Sequence, residues 1–445
     1  IVALPYFNSI TESSLIFPVT WQTVSLIMLA IVFISLATSI YPAFILSSLS
    51  PVAALKGKSL TTSKGKFFRN GLVGFQFCIA IVLIITTLII QKQVDLIGNK
   101  QLGFDKEQVM VIEGIAHKKS HLFEPFLNEI RTFPEVKSAA GSLWIQGFSG
   151  TWKDNYRVLG QSKDHVFQRV IIGDQLAETL NFELKEGQLF SSDTNDSLSI
   201  IVNESAVTQM GLKDPVGQEI VLSKTNDGQI EEYNFIIKGV IKDFNYHTLH
   251  NPIEPLMIQN SENNHNRMRF IAAKLTDGFS RETVEKIESK WQEMFPERPF
   301  RFRFLDDTLD AKYKNEKKTI NILTTFSFLT IFIACIGLFA LSSYVIKLRI
   351  KEIGIRKILG ASIKNIILKL SGNFSLIIFT SFLLAAPIGW YLGSMWLDNF
   401  AYKVTIDYEV FFWSGFIVSA VTIMTISFQT FRAAHTNPVD SLRNE

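Results

Sequence analysis

Three short patterns in the sequence have residue types that could carry chemistry. His247 and His250 stand three residues apart, a spacing at which two imidazoles can share a metal ion, but no Cys or third His lies close by. The run Gly147-Phe148-Ser149-Gly150 is followed by Thr151, where the Gly-x-Ser-x-Gly turn of a hydrolase has its last glycine. No Gly-x-x-x-x-Gly-Lys-Ser/Thr phosphate loop occurs in the sequence. We therefore expect loop structure at the histidines and no catalytic, metal or cofactor site on this chain.

A charged segment between two apolar runs has the composition of a docking helix. Glu352 and Arg356 stand one turn apart, as an ion pair requires, the isoleucines supply an apolar face, and Gly354 and Gly360 allow close approach. Such a helix can seat in a groove of a soluble partner, and the alternative is an amphipathic helix resting on the membrane surface. The segment reads Lys351-Glu352-Ile353-Gly354-Ile355-Arg356-Lys357-Ile358-Leu359-Gly360-Ala361-Ser362.

Five apolar runs are long enough to approach or exceed a bilayer span, for which about 20 residues are needed. The composition agrees, because 47% hydrophobic residues with 37 Phe exceed what one soluble core needs, while 19% charged residues leave room for a large domain in water. The five runs are approximately Val24 to Leu46, Leu72 to Ile90, Thr319 to Val345, Ile366 to Leu392 and Phe411 to Phe428.

The distribution of Lys and Arg predicts the orientation of these spans. The loop Ser47 to Asn70 is basic without a single acid, and Lys347 to Lys369 has Glu352 as its one acid, so both belong in the cytoplasm together with Arg432 to Glu445. The long insert Gln91 to Lys318 has more acidic than basic residues and is expected to be exported. Nucleic acid is not an expected partner, because no aromatic residues are interleaved with the basic ones for base stacking.

The exported insert is predicted to be an α+β domain that folds without disulfides, since Cys78 and Cys335 both lie in expected spans. The charged stretch Asp306 to Lys318 keeps Leu305, Leu309 and Tyr313 four residues apart, which predicts a helical stalk continuous with the span that begins near Thr319. Expected strands are Gln108 to Glu113, Ile200 to Asn203, Tyr233 to Ile241 and Arg269 to Leu275, and expected helices are Phe123 to Arg131, Ser205 to Met210 and Arg281 to Phe295.

Trp144, Phe148 and Trp152 form an aromatic group among glycines in this insert. Two interpretations stay open for the three side chains. One is packing in the core or in a loop, and the other is contact with an apolar ligand or a partner protein.

An internal repeat links the start of the chain to its end. Leu49-Ser50-Pro51-Val52-Ala53-Ala54-Leu55-Lys56 aligns with Thr436-Asn437-Pro438-Val439-Asp440-Ser441-Leu442-Arg443, and each copy follows an apolar span. Because the chain opens with Ile1 in the last quarter of a first repeat, we expect it to be the C-terminal part of a longer, duplicated protein.

These residues resemble a known family, the FtsX-like and MacB-like permeases of ABC transporters. The segment Glu352 to Ser362 is similar to the family's Glu-Ile-Gly-(Ile/Val)-Arg-(Arg/Lys)-x-(Leu/Met)-Gly-Ala coupling segment. Four stretches resemble the recurrent motifs of the MacB-like periplasmic core: Val202-Asn203-Glu204-Ser205-Ala206, Asp214-Pro215-Val216-Gly217, Gly239-Val240-Ile241-Lys242-Asp243-Phe244 and Pro252-Ile253-Glu254-Pro255.

The resemblance implies a domain layout and a set of partners. Residues 1–58 would end a first FtsX-like repeat with one transmembrane helix, 68–92 would be a transmembrane helix, 93–318 the exported MacB-like core with its stalk, and 319–445 an FtsX-like domain with three transmembrane helices. The expected fold is a membrane α-helical bundle plus an exported α+β domain. Expected partners are a cytoplasmic ABC ATPase subunit, which Lys351, Glu352, Gly354, Arg356, Lys357, Gly360 and Ala361 would contact, and membrane lipids, with a homodimer or a pseudo-dimer through the missing first repeat.

The resemblance also implies a multi-pass protein of the plasma (inner) membrane that works by mechanotransmission. Export or extraction of a lipid-like molecule, lipoprotein, peptide or drug is the first functional hypothesis. A non-transporting FtsX-type regulator of cell-envelope enzymes is the second, and a membrane-tethered scaffold without an ATPase is the third. The sequence does not name the substrate.

Overall fold

The structure, a computed structural model, divides into two compact units. It describes residues 4–11, 14, 16, 18–47, 63–100, 102–114, 122–191, 196–226, 229–261, 268–348 and 363–434. The membrane unit comprises Ile1–Asp95, Glu316–Asp398 and Val404–Glu445, and the exported unit comprises Leu96–Asn315 and Asn399–Lys403.

Helices occur in both units. They are α1 (Leu4–Thr11), α2 (Trp21–Ser47), α3 (Ser63–Asn99), α4 (Phe123–Arg131), α5 (Leu176–Thr179), α6 (Glu204–Met210), α7 (Arg281–Met294), α8 (Leu305–Ala311), α9 (Lys314–Leu348), α10 (Ile363–Leu397) and α11 (Tyr408–Ala434).

Every strand that the structure describes belongs to one mixed sheet in the exported unit. The strands are β1 (Val109–Glu113), β2 (Val136–Ser142), β3 (Trp152–Val158), β4 (His165–Ile172), β5 (Leu184–Gly187), β6 (Ser199–Asn203), β7 (Glu219–Asn226), β8 (Gln229–Ile241), β9 (Leu256–Asn260), β10 (Phe270–Leu275) and β11 (Arg301–Phe304).

Five of the described helices are long and apolar enough to cross a membrane, as predicted: α2, α3, α9, α10 and α11. Such helices satisfy all their backbone hydrogen bonds internally, which the hydrocarbon core of a bilayer demands. Buried apolar side chains of α3, α9, α10 and α11 form one cluster that includes Ile85, Leu338, Ala385 and Val418. In the apolar part of α2, Trp21–Ile40, none of the described residues is buried.

Six strands of the exported unit close into a ring. β4 pairs with β3, and the ring continues through β7, β8, β6 and β9 until β9 pairs back with β4. Alternate residues of each strand point to the same side, so the ring has an apolar interior. All six strands contribute buried side chains there, among them Tyr156, Phe167, Val202, Leu222, Ile237 and Met257.

A second part of the sheet carries two helices on one face. Strands β11, β1, β10 and β2 are antiparallel neighbours, and a single residue pair between β2 and β4 joins them to the ring. The faces of α4 and α7 pack on Met110, Ile271 and Ala273, and Phe126 of α4 meets Trp291 of α7 edge to face with ring centroids 5.4 Å apart. Such aromatic pairs stabilise a core by more than their buried area alone.

The α+β prediction is confirmed, and so are the helices with strong periodicity. Helix α4 has its predicted bounds, α7 ends one residue before its predicted end, and Ser280 with Thr283 forms the capping box at its start. The predicted strands are present with starts shifted by about one residue, except the one from Tyr233, which begins at Gln229.

One prediction about shape is wrong. The stretch Asp306 to Lys318 is helical at both ends but not continuous, because α8 ends at Ala311 and α9 begins at Lys314. Lys312 and Tyr313 form a turn between them and donate their backbone N–H groups to the carbonyls of Leu309 and Asp310, three residues back, at 3.1 Å each. Hydrogen bonds to the residue three positions back are typical of a 3₁₀ turn, and here they interrupt the α-helical bonds to the residue four positions back.

Candidate functional site

The predicted coupling segment lies outside the described residues. Helix α9 ends at Leu348 and α10 begins at Ile363, so all of Lys351 to Ala361 falls between them. The assignment of this segment to a partner contact therefore stays a prediction from its sequence.

The structure separates the three aromatic residues that the sequence grouped. Trp144 is 1% exposed and belongs to the core cluster on one face of the sheet, against which the half-buried Phe148 packs. Phe148 also has the guanidinium of Arg303 over its ring, 4.5 Å from the ring centroid. Trp152, at the start of β3, is 39% exposed and is not part of that cluster. Trp152 is thus the member of the group with the most surface for a ligand or partner.

A polar network that sequence reasoning missed lies beside Trp152. The guanidinium of Arg169 forms an ion pair with Asp154, donates to the side chain of Gln259 at 3.1 Å and lies 5.4 Å from the Trp152 ring centroid. Arg169 is 9% exposed, and a charge so buried needs such partners. The signal in the sequence is a charged residue inside the apolar run of β4.

Three of the four motifs shared with the MacB-like core meet at one junction. Asn203 caps α6 by accepting the N–H of Ala206 with its side-chain oxygen, and its side-chain amide donates to the carbonyl of Glu254 at 3.1 Å. The carboxylate of Asp243 accepts both the N–H and the hydroxyl of Ser205, at 3.0 and 2.6 Å. These contacts fasten α6 to the strands on either side of it. Within this junction the motif residues bond to one another, which is a structural role.

Both histidines lie in the loop between β8 and β9, as predicted. Burial lowers the pKa of His247, and the positive charges of Lys312 and Lys153 act in the same direction, whereas Glu254 opposes them. His250 stacks on aromatic rings, with 4.3 Å between its centroid and that of Phe400. Among the described residues no group of three His, Cys, Asp or Glu side chains could hold a metal ion.

Small residues bring the helices of the membrane unit close together. A Cβ atom added at Gly389 of α10 would meet Ile85 of α3 at 2.9 Å, and one at Gly393 would meet Ile89 at 2.4 Å. Glycines four residues apart on one helix let a second helix approach closely. Between α9 and α11, the buried Gln429 side chain accepts the hydroxyl of Ser342 at 2.6 Å and donates to the carbonyl of Phe339 at 2.7 Å.

Among the described residues, each unit has a cavity of the size of a small-molecule site. In the exported unit, a polar cavity of about 470 Å³ follows the end of α3, with Lys100, Asp105 and Glu183 in its wall. In the membrane unit, an apolar groove of about 600 Å³ lies between α10 and α11 and is lined mostly by phenylalanine and isoleucine, among them Phe382 and Phe416.

The structure combines helices of membrane-spanning length with a large domain built on one sheet, and comparison with known proteins supplies the class. Residues 72–289 match the model of the MacB-like periplasmic core domain, and residues 324–438 match that of the FtsX-like permease C-terminal domain. The chain belongs to the MacB/FtsX-like permease family of ABC transporters. The resemblance inferred from the motifs is thereby confirmed.

Three solved structures, each of a single domain or region, are similar to part of the chain. The periplasmic region of MacB from Actinobacillus actinomycetemcomitans is 16% identical and matches 46% of this chain and 92% of its own, with a TM-score of 0.33. A domain of a putative permease from Porphyromonas gingivalis is 17% identical over 45% and 92% of the two chains, with a TM-score of 0.33. The extracellular domain of the noncanonic ABC-type transporter YknZ from Gram-positive bacteria is 11% identical over 42% and 93%, with a TM-score of 0.29. No curated protein matches the chain.

Proposed function

We propose that this chain is the permease subunit of an ABC transporter that works by mechanotransmission. A separate cytoplasmic ATPase binds the segment Lys351 to Ala361, and its cycle moves the membrane helices. Those helices reshape the exported unit, which acts on a lipid-like molecule, lipoprotein, peptide or drug at the outer face of the inner membrane.

The observation that carries this proposal is the way the chain enters and leaves the exported sheet. Strand β1 follows α3, strand β11 leads through α8 into α9, and the two strands are antiparallel neighbours. Met110, near the start of β1, pairs with Phe304, the last residue of β11, so both connections attach at the same end of this strand pair. Lys106 and Asp310, on the two connections, form an ion pair at 3.9 Å.

The lengths of the two helices support mechanical transmission. Helix α3 has 37 residues and α9 has 35, so each is roughly 50 to 55 Å long, against about 30 Å for the hydrocarbon core of a bilayer. A continuous helix transmits a displacement at one end to the other. A shift between α3 and α9 would therefore act directly on the pair β1 and β11.

The experiment is reconstitution of the intact chain with a candidate ABC ATPase subunit from the same organism. The chain should co-purify with the ATPase and change its rate of ATP hydrolysis. Gly354→Leu, Gly360→Leu and Glu352→Lys should keep normal protein levels, because no span is altered, yet weaken this effect. Gly372→Leu in α10 is the control for the glycine variants, since a Cβ there meets nothing within 4 Å.

The outcomes separate the proposal from its alternatives. Unchanged ATPase binding and activity in all three variants would remove the coupling role from this segment. An ATPase that neither binds nor responds would favour a membrane-tethered scaffold. ATP-dependent activation of a cell-envelope hydrolase, without movement of any substrate, would favour an FtsX-type regulator.

A further inference from the structure

The short connection between the last two membrane helices is part of the exported unit. Asn399–Lys403 stands between α10 and α11, and its neighbours Asp398 and Val404 belong to the membrane unit. The chain thus passes into the exported unit here and returns within five residues. Its three central residues, Phe400, Ala401 and Tyr402, each contact residues of that unit.

Phe400 supplies the buried part of this attachment. Its side chain is 4% exposed, and its ring stacks on His250 at an interplanar angle of 26°. The next residue, Ala401, donates its backbone N–H to the carbonyl of His250 at 3.2 Å. One histidine therefore holds the connection through both its ring and its backbone.

Tyr402 makes a second set of contacts. Its hydroxyl accepts the backbone N–H of Ile253 at 3.4 Å, and its ring lies under the ammonium group of Lys100, 2.9 Å from the ring centroid. An ammonium over a tyrosine ring is an attractive cation–π arrangement. Burial lowers the pKa of Lys100, which agrees with the packing of its ammonium group against the Tyr402 ring.

The receiving loop, residues 249–253, is itself held at the turn between α8 and α9. Tyr313 in that turn accepts the N–H of Leu249 at 2.8 Å through its hydroxyl. The Tyr313 ring lies nearly parallel to the His250 imidazole, with centroids 6.1 Å apart and an interplanar angle of 12°. His250 thus links the connection after α10 to the turn that precedes α9.

We infer that Asn399–Lys403 is a permanent anchor through which movement of α10 and α11 reaches the exported unit, in addition to the connections at β1 and β11. The inference rests on the proposed function, because it assigns the anchor a part in mechanotransmission. Phe400, Tyr402 and His250 are its positioning residues. None of the three belongs to the predicted coupling segment or to the aromatic group around Trp152.

The experiment measures backbone hydrogen exchange in the full chain, first without an ATPase. Residues 249–253 and 399–403 should be protected in the wild type, and Phe400→Ala should speed their exchange by about tenfold or more. His250→Phe keeps a stacking ring and should keep the protection, whereas His250→Ala should lose it. Tyr408→Ala removes an aromatic ring that is 82% exposed and should change nothing in this loop.

The second arm adds the ATPase and ATP. In the wild type, ATP should alter exchange in the exported unit, and Phe400→Ala should lose most of that response while the ATPase stays bound. A full response in Phe400→Ala would overturn the inference. If the wild type shows no ATP response, the proposed function has failed, and the first arm then decides whether the anchor exists. Equal exchange of both segments in wild type and Phe400→Ala would show that it does not.

Discussion

At the scale of single residues, close packing at Gly141 limits what the exported sheet accepts. A Cβ added at Gly141 of β2 would lie 2.2 Å from the ring of the buried Phe123, whereas one at Gly150 would meet nothing within 4 Å. Gly141→Ala should therefore lower the free energy of unfolding by about 1 to 3 kcal/mol, and Gly150→Ala should cost far less. Thermal unfolding of the two purified variants measures this difference. Equal midpoints for both would contradict the packing described.

The lowered pKa of His247 predicts how the exported unit responds to acid. Since burial holds this pKa below the ordinary value of 6.5, the unfolded chain takes up a proton at a higher pH than the folded chain does. The stability that this residue contributes is fully present above about pH 6.5 and is lost as the pH falls below it. His247→Gln should reduce the drop in unfolding temperature between pH 7.5 and pH 5. If the unfolding temperatures of variant and wild type fell in parallel with pH, the lowered pKa of His247 would be contradicted.

Residue-scale prediction from the sequence succeeded where the answer depended on local spacing. His247 and His250 lie in the loop between β8 and β9, as the sequence predicted. The contact of His250 with Phe400 was out of reach, because it joins positions far apart in the chain and no local pattern marks it. Trp144 and Trp152 have similar surroundings in the sequence, and their different exposure is decided by strands that the sequence pattern did not reveal.

At the scale of elements, the glycines of α10 offer a matched test of helix packing. Gly393 faces Ile89 of α3 closely, while Gly372 on the same helix has nothing near its added Cβ. Gly393→Leu should destabilise the membrane unit by about 1 to 3 kcal/mol, and Gly372→Leu should leave it nearly unchanged. Unfolding in detergent with an increasing denaturing fraction provides the measurement. Wild-type resistance to unfolding in both variants would contradict the close packing of Gly393 against Ile89.

Elements with a strong period were predictable, and those without one were not. The five apolar helices and α4 and α7 follow directly from long apolar runs or helical spacing. Strand β2, with the sequence Val-Lys-Ser-Ala-Ala-Gly-Ser, lacks alternation because both of its faces are covered, Ala139 by the cluster that includes α4 and Ala140 by the core cluster on the opposite face. The turn at Tyr313 was missed because the helical spacing continues through it, and the contact that Tyr313 makes there with Leu249 joins distant parts of the chain.

At the scale of the whole molecule, the charge pattern predicts the topology. A Cys at the exposed position of Lys163 should react with a membrane-impermeant thiol reagent in intact cells, while a Cys at Lys357 should react only after the cells are opened. Ser replaces Cys78 and Cys335 in both variants, so that the introduced thiol gives the signal. If the Cys at position 163 were shielded in intact cells and the Cys at position 357 reacted, the orientation would be the opposite of the predicted one.

The central claim is that ATP hydrolysis by a partner reshapes the exported unit through α3 and α9. Its most direct test is hydrogen exchange at β1 and β11 in the purified complex, compared with and without ATP and with an ATPase variant that binds but does not hydrolyse it. Because both helices attach to this strand pair, ATP should change exchange at β1 and β11 in the complex and leave the chain alone unaffected. Identical exchange at β1 and β11 with and without ATP, while the bound ATPase turns over, would contradict mechanotransmission.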